Sequence, residues 1–488
     1  MPSKHQSSQV FILLLTAFLS FFALENARRF HPDEAFYMTI ARHGAINGDW
    51  LFLAEPMDKP PLTFYSNALA LVFFAIEADD NNVLQLDPET GEFAGRMPSV
   101  LMSIVLVAVM MKLVSTVSKQ EKLIYLAGIL TALSPMRIVF APTAFTDTPM
   151  LLLGTIALWM AFRGRWGWSG FWLILSISAK PQIIFYAPLI LALLVIHTIK
   201  NKQTTTIPLR LFYFSLPILI GLGLLWGWDS LRVINGAESF YQLGQSRYTA
   251  TSWTTLADYP TRVSALWQTN QYLFGHGVLT IFIVFIALIR LMLARKFSVH
   301  LLLLWGWLLS FFAIHLVLTL NLFDRNQIIV LPIVVLAIVT AINTRSWHAI
   351  SLKIFSIILA YVMVIFALQA SLWKMPIGGD DGRHDGIHIL ASYLNSKPVA
   401  TVIYDTWLDW ELDYYMGQWT DKRRVFYPTP ELLVVDALAL DEQGSRYFVA
   451  PNTINVSAWI VALEQAQFRV SLDIELENFT VYQVIPAD

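Results

Sequence analysis

The stretch PLTFYSNALALVFFAI, residues 61–76, decides how the rest of the chain is laid across a membrane. By hydropathy it qualifies as a span, yet counting it as one inverts every later loop and puts the basic clusters outside. It also runs into EADDNNVLQLDPETGE, an acidic, turn-rich stretch without Lys or Arg. Read instead as a helix lying on or dipping into the outer surface, it leaves the basic loops together on one side. A membrane is the right frame because the chain of 488 residues is 56% hydrophobic and only 14% charged, with mean hydropathy +0.56. Soluble domains carry about 25% charged residues.

Other apolar runs of spanning length fall at roughly 9–25, 97–117, 122–140, 148–162, 168–179, 182–199, 208–228, 276–294, 299–320, 327–343 and 348–370, about eleven in all. With Lys4 on the cytoplasmic side, alternate turns hold Lys112, Lys119 and Lys122, then Arg163 and Arg165, Lys200 and Lys202, Arg295 and Lys296, and Arg345. All fall inside, as positive-inside ordering requires. The opposite side receives 26–95, 229–275 and the tail from 371 onward. Pro181 in WSGFWLILSISAKPQ should break one short helix from the next. No small-residue cleavage site follows VFILLLTAFLSFFAL, so that run is the first span rather than a signal peptide.

After residue 375 the apolar runs shorten. GGDDGRHDG reads as a hinge, and ATVIYD, SRYFVAP and NFTVYQVIP alternate with helical stretches. The expected fold is a membrane all-α polytopic helical bundle over 1–374, with juxtamembrane helices on the periplasmic side, and a small extracytoplasmic α/β domain over 375–488. A net charge of −2 leaves no basic field for nucleic acid. The absence of cysteine excludes disulfides and thiolate sites, and with the loop charges fits a bacterial inner membrane, as it would equally fit an archaeal envelope.

On that topology the polar residues of the outer side converge. They are Asp33 and Glu34 in HPDEAFYMTI, then Glu55, Asp58 and Lys59 in EPMDKPPL, Arg96 in GRMPSVL and Asp147 in AFTDTPML. Lys180 in SAKPQ and the Asp324-Arg325 pair in NLFDRNQIIVLP join them. Each has an ordinary reading. Arg28 and Arg29 suit interface anchors, Asp147 an N-cap before Thr148, Asp324-Arg325 a short loop pair, and His315 a hydrogen bond to a neighbouring helix. Together, carboxylates and cations beside a surface helix suit a site where a base meets an anionic leaving group. A lipid phosphate is the natural anion at that depth, and Lys and Arg are the residues to hold it.

The ordered motifs DEAFY, GDWL, DKPPL with a following FY, GRMPSVL and FTDTPM, over about residues 10–200, resemble the membrane-embedded polyprenyl-phosphate-dependent glycosyltransferases of GT-C type. The likeness is to the group of the lipid A aminoarabinose transferase and the protein O-mannosyltransferases. It implies Asp33 as the essential catalytic carboxylate and Asp147 as a second one on the next outer loop. Lys59 matches a phosphate-binding Lys-Pro that opens the surface helix, and Arg96 and Lys180 match basic positions. DRNQIIVLP is a weaker echo: those enzymes often carry Arg-Tyr where this chain has Arg325-Asn326. The implied substrates are a polyprenyl-phosphate monosaccharide and a lipid, glycan or protein acceptor of the envelope. Membrane lipids surround the site.

The expected reaction is a single displacement with inversion, Asp33 acting as base and Lys59, Arg96, Lys180 or Arg325 stabilising the departing phosphate. Glu34 stands beside Asp33 in the catalytic set, but adjacent side chains rarely point the same way, so it should pair with Arg28 or Arg42. Separated Asp and Glu oxygens suit a hard divalent cation. Apart from DDG in the hinge nothing resembles the Asp-x-Asp of nucleotide-sugar enzymes, and a polyprenyl phosphate needs no diphosphate clamp, so no metal is expected. Aromatics in SFYQLGQSRYTATSW and YDTWLDWELDYYMGQW are candidates for stacking on sugar faces, a residue type that interface belts also favour. The alternative, a transporter or flippase of lipid-linked sugars, should carry its charges mid-span in repeated halves.

Overall fold

The computed structural model describes residues 4–248, 252–292, 298–342, 349–379, 382–440 and 444–487. Arg295, Lys296, Arg345 and Asp380-Asp381 of the expected hinge lie outside the described residues. In chain order come α1 (Lys4–Glu25), α2 (Pro32–Asn47), α3 (Leu62–Phe74) and a hairpin of β1 (Ile76–Ala78) and β2 (Leu84–Leu86). Then follow α4 (Pro88–Val117), α5 (Glu121–Ala132), α6 (Pro135–Phe140), α7 (Asp147–Phe162), α8 (Trp166–Ala179), α9 (Tyr186–Lys200) and α10 (Ile207–Ile234). Next are α11 (Phe240–Tyr248), α12 (Tyr259–Asn270), α13 (Gly277–Met292), α14 (Val299–Val317), α15 (Asp324–Gln327), α16 (Val330–Ile342) and α17 (Ala349–Ser371). Two compact units form. One holds Met1–Ala27, Asp49–Ser66 and Arg96–Gly378; the other holds Arg28–Gly48, Asn67–Gly95 and Gly379–Asp488.

The first unit is helical. Among the described residues six stretches are long and apolar enough to cross a membrane: Gln6–Glu25, Pro88–Val117, Pro181–Lys200, Thr204–Ile234, Val299–Val317 and Asp324–Ile342. Their environments differ. Residues Val330–Ala341 of α16 are buried throughout, as expected of a helix that is apolar all round and sits inside a bundle. On α10, by contrast, Leu209, Phe212, Leu219, Ile220, Leu224 and Trp226 are exposed. An apolar band of that kind needs lipid around it, and the chain is an integral membrane protein. Gly170 of α8 packs against the Phe214 carbonyl of α10, an approach that any Cβ would block.

Three departures from the hydropathy pattern have local causes. The run expected at 122–140 is interrupted at Leu133-Ser134, where Ser134 caps α6 and Pro135 takes its first position. Helix α4 begins at Pro88, well before the apolar run, so Arg96 lies inside a helix and not in a loop. Helix α10 continues past the apolar run to Ile234 because the charges it meets there are satisfied. The Arg232 guanidinium donates to the carbonyls of Leu51, Phe52 and Glu238, and Asp229 accepts from the Phe240 N–H.

The second unit carries a five-stranded sheet. After α18 (Ile387–Asn395) come β3 (Val402–Asp405), α19 (Asp409–Tyr415), β4 (Arg423–Phe426), α20 (Pro430–Ala439), β5 (Arg446–Pro451), α21 (Ser457–Gln465), β6 (Phe468–Glu475) and β7 (Phe479–Pro486). The order is β4-β3-β5-β7-β6, with β4, β3 and β5 parallel and β7 and β6 antiparallel. Parallel strands are covered on both faces, and β3 and β5 are buried at every position. Val402, Tyr404, Leu433, Phe448, Leu463 and Phe468 form the core. Burial pushes the Asp405 carboxyl, at the carboxyl end of β3, up to about 8, although the Leu408 N–H donates to its Oδ1 at 3.0 Å. Helix α2 and the β1–β2 hairpin belong to this same unit.

Candidate active site

In the helical unit, proline sets the first cluster. A residue before proline is driven out of the helical region, so α8 ends at Ala179 and Lys180 is extended at φ −155° and ψ 124°. Its Nζ donates to Asp147 Oδ1 at 2.6 Å and to Asn326 Oδ1 at 2.8 Å. Asp147 is the first residue of α7, with Thr146 at the cap position, so the N-cap expectation shifts by one residue. A carboxylate in that first turn is favoured by the helix dipole. Gln182 donates to the Asn326 carbonyl at 2.7 Å, which fixes the acceptor side of the cluster. Asn326 is the residue that departs from the Arg-Tyr pattern, and here it accepts a hydrogen bond from Lys180.

Beside it in sequence, Arg325 is half-buried with its guanidinium 5.0 Å from the Phe145 ring centroid and 5.5 Å from that of Phe323. Asp324 accepts from the backbone N–H groups of Arg325 at 2.7 Å and Gly378 at 2.6 Å. His315 bonds the Phe311 carbonyl of its own helix at 2.8 Å, rather than a neighbouring helix, and packs on the Phe185 ring.

A second cluster centres on Asp58. Its Oδ2 accepts from Tyr248 Oη at 2.7 Å and Arg247 Nη1 at 3.0 Å, and Lys59 Nζ stands 3.4 Å away, over the Tyr248 ring at 3.6 Å. Gly244 permits this closeness, since a Cβ there would lie 2.9 Å from the Asp58 carbonyl oxygen. The segment before Lys59 is fastened by Arg232 and by a chain in which Trp228 Nε1 donates to Tyr65 Oη at 3.0 Å and Tyr65 donates to the Trp50 carbonyl at 2.7 Å. Sequence reasoning missed Asn326, Arg232, Arg247 and Tyr248. Asn326, Arg247 and Tyr248 lay in stretches it had singled out, the last two for aromatic stacking. Lys59, Arg96 and Lys180 are 7%, 2% and 9% exposed, so three of the four cations expected at the phosphate are sealed from bulk solvent.

Asp33 and Glu34 belong to the sheet-bearing unit, on the first turn of α2. His31 is the N-cap and Pro32 the first helical residue. The Asp33 N–H donates to His31 Nδ1 at 3.1 Å, and Glu34 Oε2 accepts from the His31 N–H at 3.2 Å. This is a capping box built with histidine. Gly48 ends the helix in the left-handed region at φ 70°. Glu34 is buried in the cap, while Asp33 is half-buried beside it. Of the tail aromatics expected to stack on sugar, Trp410 stacks on Phe36 at 4.8 Å and Tyr414 meets Phe30 edge-on at 5.0 Å, while Trp407 and Trp419 are exposed.

No family model matches the chain, and no curated protein matches it by sequence. Solved structures do match. ArnT from Cupriavidus metallidurans bound to undecaprenyl phosphate superposes with a TM-score of 0.68 over 97% of both chains, at 15% identity. The chain has the ArnT fold. The apo state of that ArnT gives the same TM-score over 98% of each chain at 14% identity. An Archaeoglobus fulgidus oligosaccharyltransferase tethered to an acceptor peptide with the NVT sequon gives 0.56 at 11% identity, covering 92% of this chain and 69% of that one. Both neighbours are GT-C glycosyltransferases. The motifs that resemble this group lie within about residues 10–200, yet the ArnT fold extends through the sheet-bearing tail.

Proposed function

We propose that the chain is a glycosyltransferase that moves a monosaccharide from a polyprenyl-phosphate donor to an envelope lipid, glycan or protein on the outer face of a bacterial inner membrane. The observation that carries this reading is the match to ArnT bound to undecaprenyl phosphate over 97% of both chains. In the proposed reaction Asp33 takes the proton of the acceptor hydroxyl as its oxygen attacks the anomeric carbon. The bond from that carbon to the phosphate oxygen breaks with inversion, and its electron pair stays on the lipid phosphate. Lys59, with Arg96, Lys180 or Arg325, stabilises that charge, and burial of the first three strengthens the interaction. Asp147 holds the Lys180 ammonium in place. The cations supply the positive charge a metal would bring, so the proposed reaction is metal-independent.

The test is mass spectrometry of membrane lipids and surface glycans from cells carrying wild type or Asp33→Asn at matched protein level. A polyprenyl-phosphate sugar that accumulates in the mutant, with one sugar mass lost from an envelope product, is the expected result. An unchanged profile overturns Asp33 as the base and moves the transporter reading ahead.

A further inference from the structure

The sheet-bearing unit supplies a chain of contacts to the first turn of α2. Tyr415 Oη accepts from the Phe30 N–H at 2.8 Å and donates to the Glu92 carboxylate, whose Oε2 lies 3.1 Å from Arg29 Nη1. From Phe30 the hydrogen bonds continue through the cap: the His31 N–H to Glu34, and the Asp33 N–H to His31. At the far end of α2, the buried guanidinium of Arg42 donates to the Tyr414 carbonyl at 2.9 Å and the Asp413 carbonyl at 3.0 Å. Those are last-turn carbonyls of α19, which have no partner within their own helix. Between the two ends, Phe36 lies flat on Trp410.

An apolar seat would stabilise α2 without fixing its register. Here two charged side chains, Arg42 and Glu92, are buried in contact with α19, and directional hydrogen bonds permit fewer arrangements than an apolar contact does. We propose that the C-terminal α/β module is a positioning device for the reaction: Tyr415 and Arg42 grip α2 at its two ends and thereby fix where Asp33 stands. This rests on Asp33 being the base. Tyr415 and Arg42 are positioning residues; neither touches the reacting atoms.

The test uses the full-length protein and the conservative variants Tyr415→Phe and Arg42→Lys, with Arg423→Ala as a control on the exposed Arg423–Asp436 pair of the same module. Tyr415→Phe should raise amide hydrogen exchange at residues 30–36 at least tenfold, while affinity for undecaprenyl phosphate stays within twofold. In cells the ratio of transferred sugar to polyprenyl-phosphate sugar should fall at least tenfold. Arg42→Lys should keep part of the activity, and Arg423→Ala all of it.

Combined with Asp33→Asn, Tyr415→Phe should cost nothing further, because it acts through a base already removed. The inference is overturned by wild-type transfer in Tyr415→Phe, by an equal loss in Arg423→Ala, or by a full additional loss in the Asp33→Asn background. Wild-type transfer in Asp33→Asn alone instead removes the base assignment, whatever Tyr415→Phe does.

Discussion

Asp147 and Asp33 make an informative pair. Each stands in the first turn of a helix with proline as a near neighbour, in TDTP and HPDE, and each looks in the sequence like either a cap or a catalyst. In the helical unit, Asp147 is buried with Lys180 2.6 Å from its Oδ1, and that contact defines it. In the sheet-bearing unit, Glu34 does the capping beside Asp33. The lesson is that a carboxylate's role follows from the element packed against its turn, and the turn itself says little.

The comparison makes Asp33→Asn the largest effect on chemistry. Transfer should fall by roughly 10²–10⁴, the usual contribution of a general base, with thermal stability changed by less than about 1 kcal/mol. A comparable loss of stability in purified protein would erase the distinction between the two aspartates. Asp147→Asn should do the reverse. It leaves the Lys180 charge without its buried carboxylate, a change that costs roughly 3–5 kcal/mol and is readable as a lower unfolding midpoint. Adding Lys180→Met should recover most of that stability, since an apolar replacement of both partners is often neutral. Wild-type transfer in that double variant would mean that Lys180 has no part in holding phosphate.

A smaller effect separates the units by pH. Asp405 is protonated in the folded state to about 8 and titrates near 4 when unfolded. Its contribution to stability is therefore full below pH 4 and is lost as pH rises towards 8. Asp405→Asn should flatten the difference in stability between pH 5 and 8 for the sheet-bearing unit; an unaltered slope would mean the carboxyl is ionised in the fold. Smallest is Glu34→Ala, which removes one half of the capping box for about 1 kcal/mol and should leave transfer within a few-fold. Loss of transfer as complete as in Asp33→Asn would return Glu34 to the chemistry.

The bundle was legible because lipid imposes long apolar runs, and the break at Pro181 because proline acts on its immediate neighbour. Strands β3, β5 and β7 were legible for the same local reason, as short β-branched and aromatic runs, whereas RRVF of β4 was not read. What escaped were partnerships made across the chain. Lys180 meets Asn326 at a separation of 146 residues, and Phe30 meets Tyr415 at 385. No periodicity records such pairs. Helix α2 itself was marked by Pro32 at its start and Gly48 at its end, but its chain of half-polar residues gave no apolar stripe to follow. Helix α10 outran its hydropathy because Arg232 found carbonyl partners near residue 52, which a window average over α10 never sees.

The sheet-bearing unit is assembled from Arg28–Gly48, Asn67–Gly95 and Gly379–Asp488, and this interleaving sets a schedule for synthesis. Helix α2 leaves the ribosome early, while α19 and Tyr415 follow only after about 360 further residues, roughly 20–70 s later at ordinary elongation rates. Through that interval the whole helical unit can be laid into the bilayer while the helix bearing Asp33 has no seat. If Asp33 is the base, as proposed, a nascent or prematurely terminated chain should be inert until the last strands are complete.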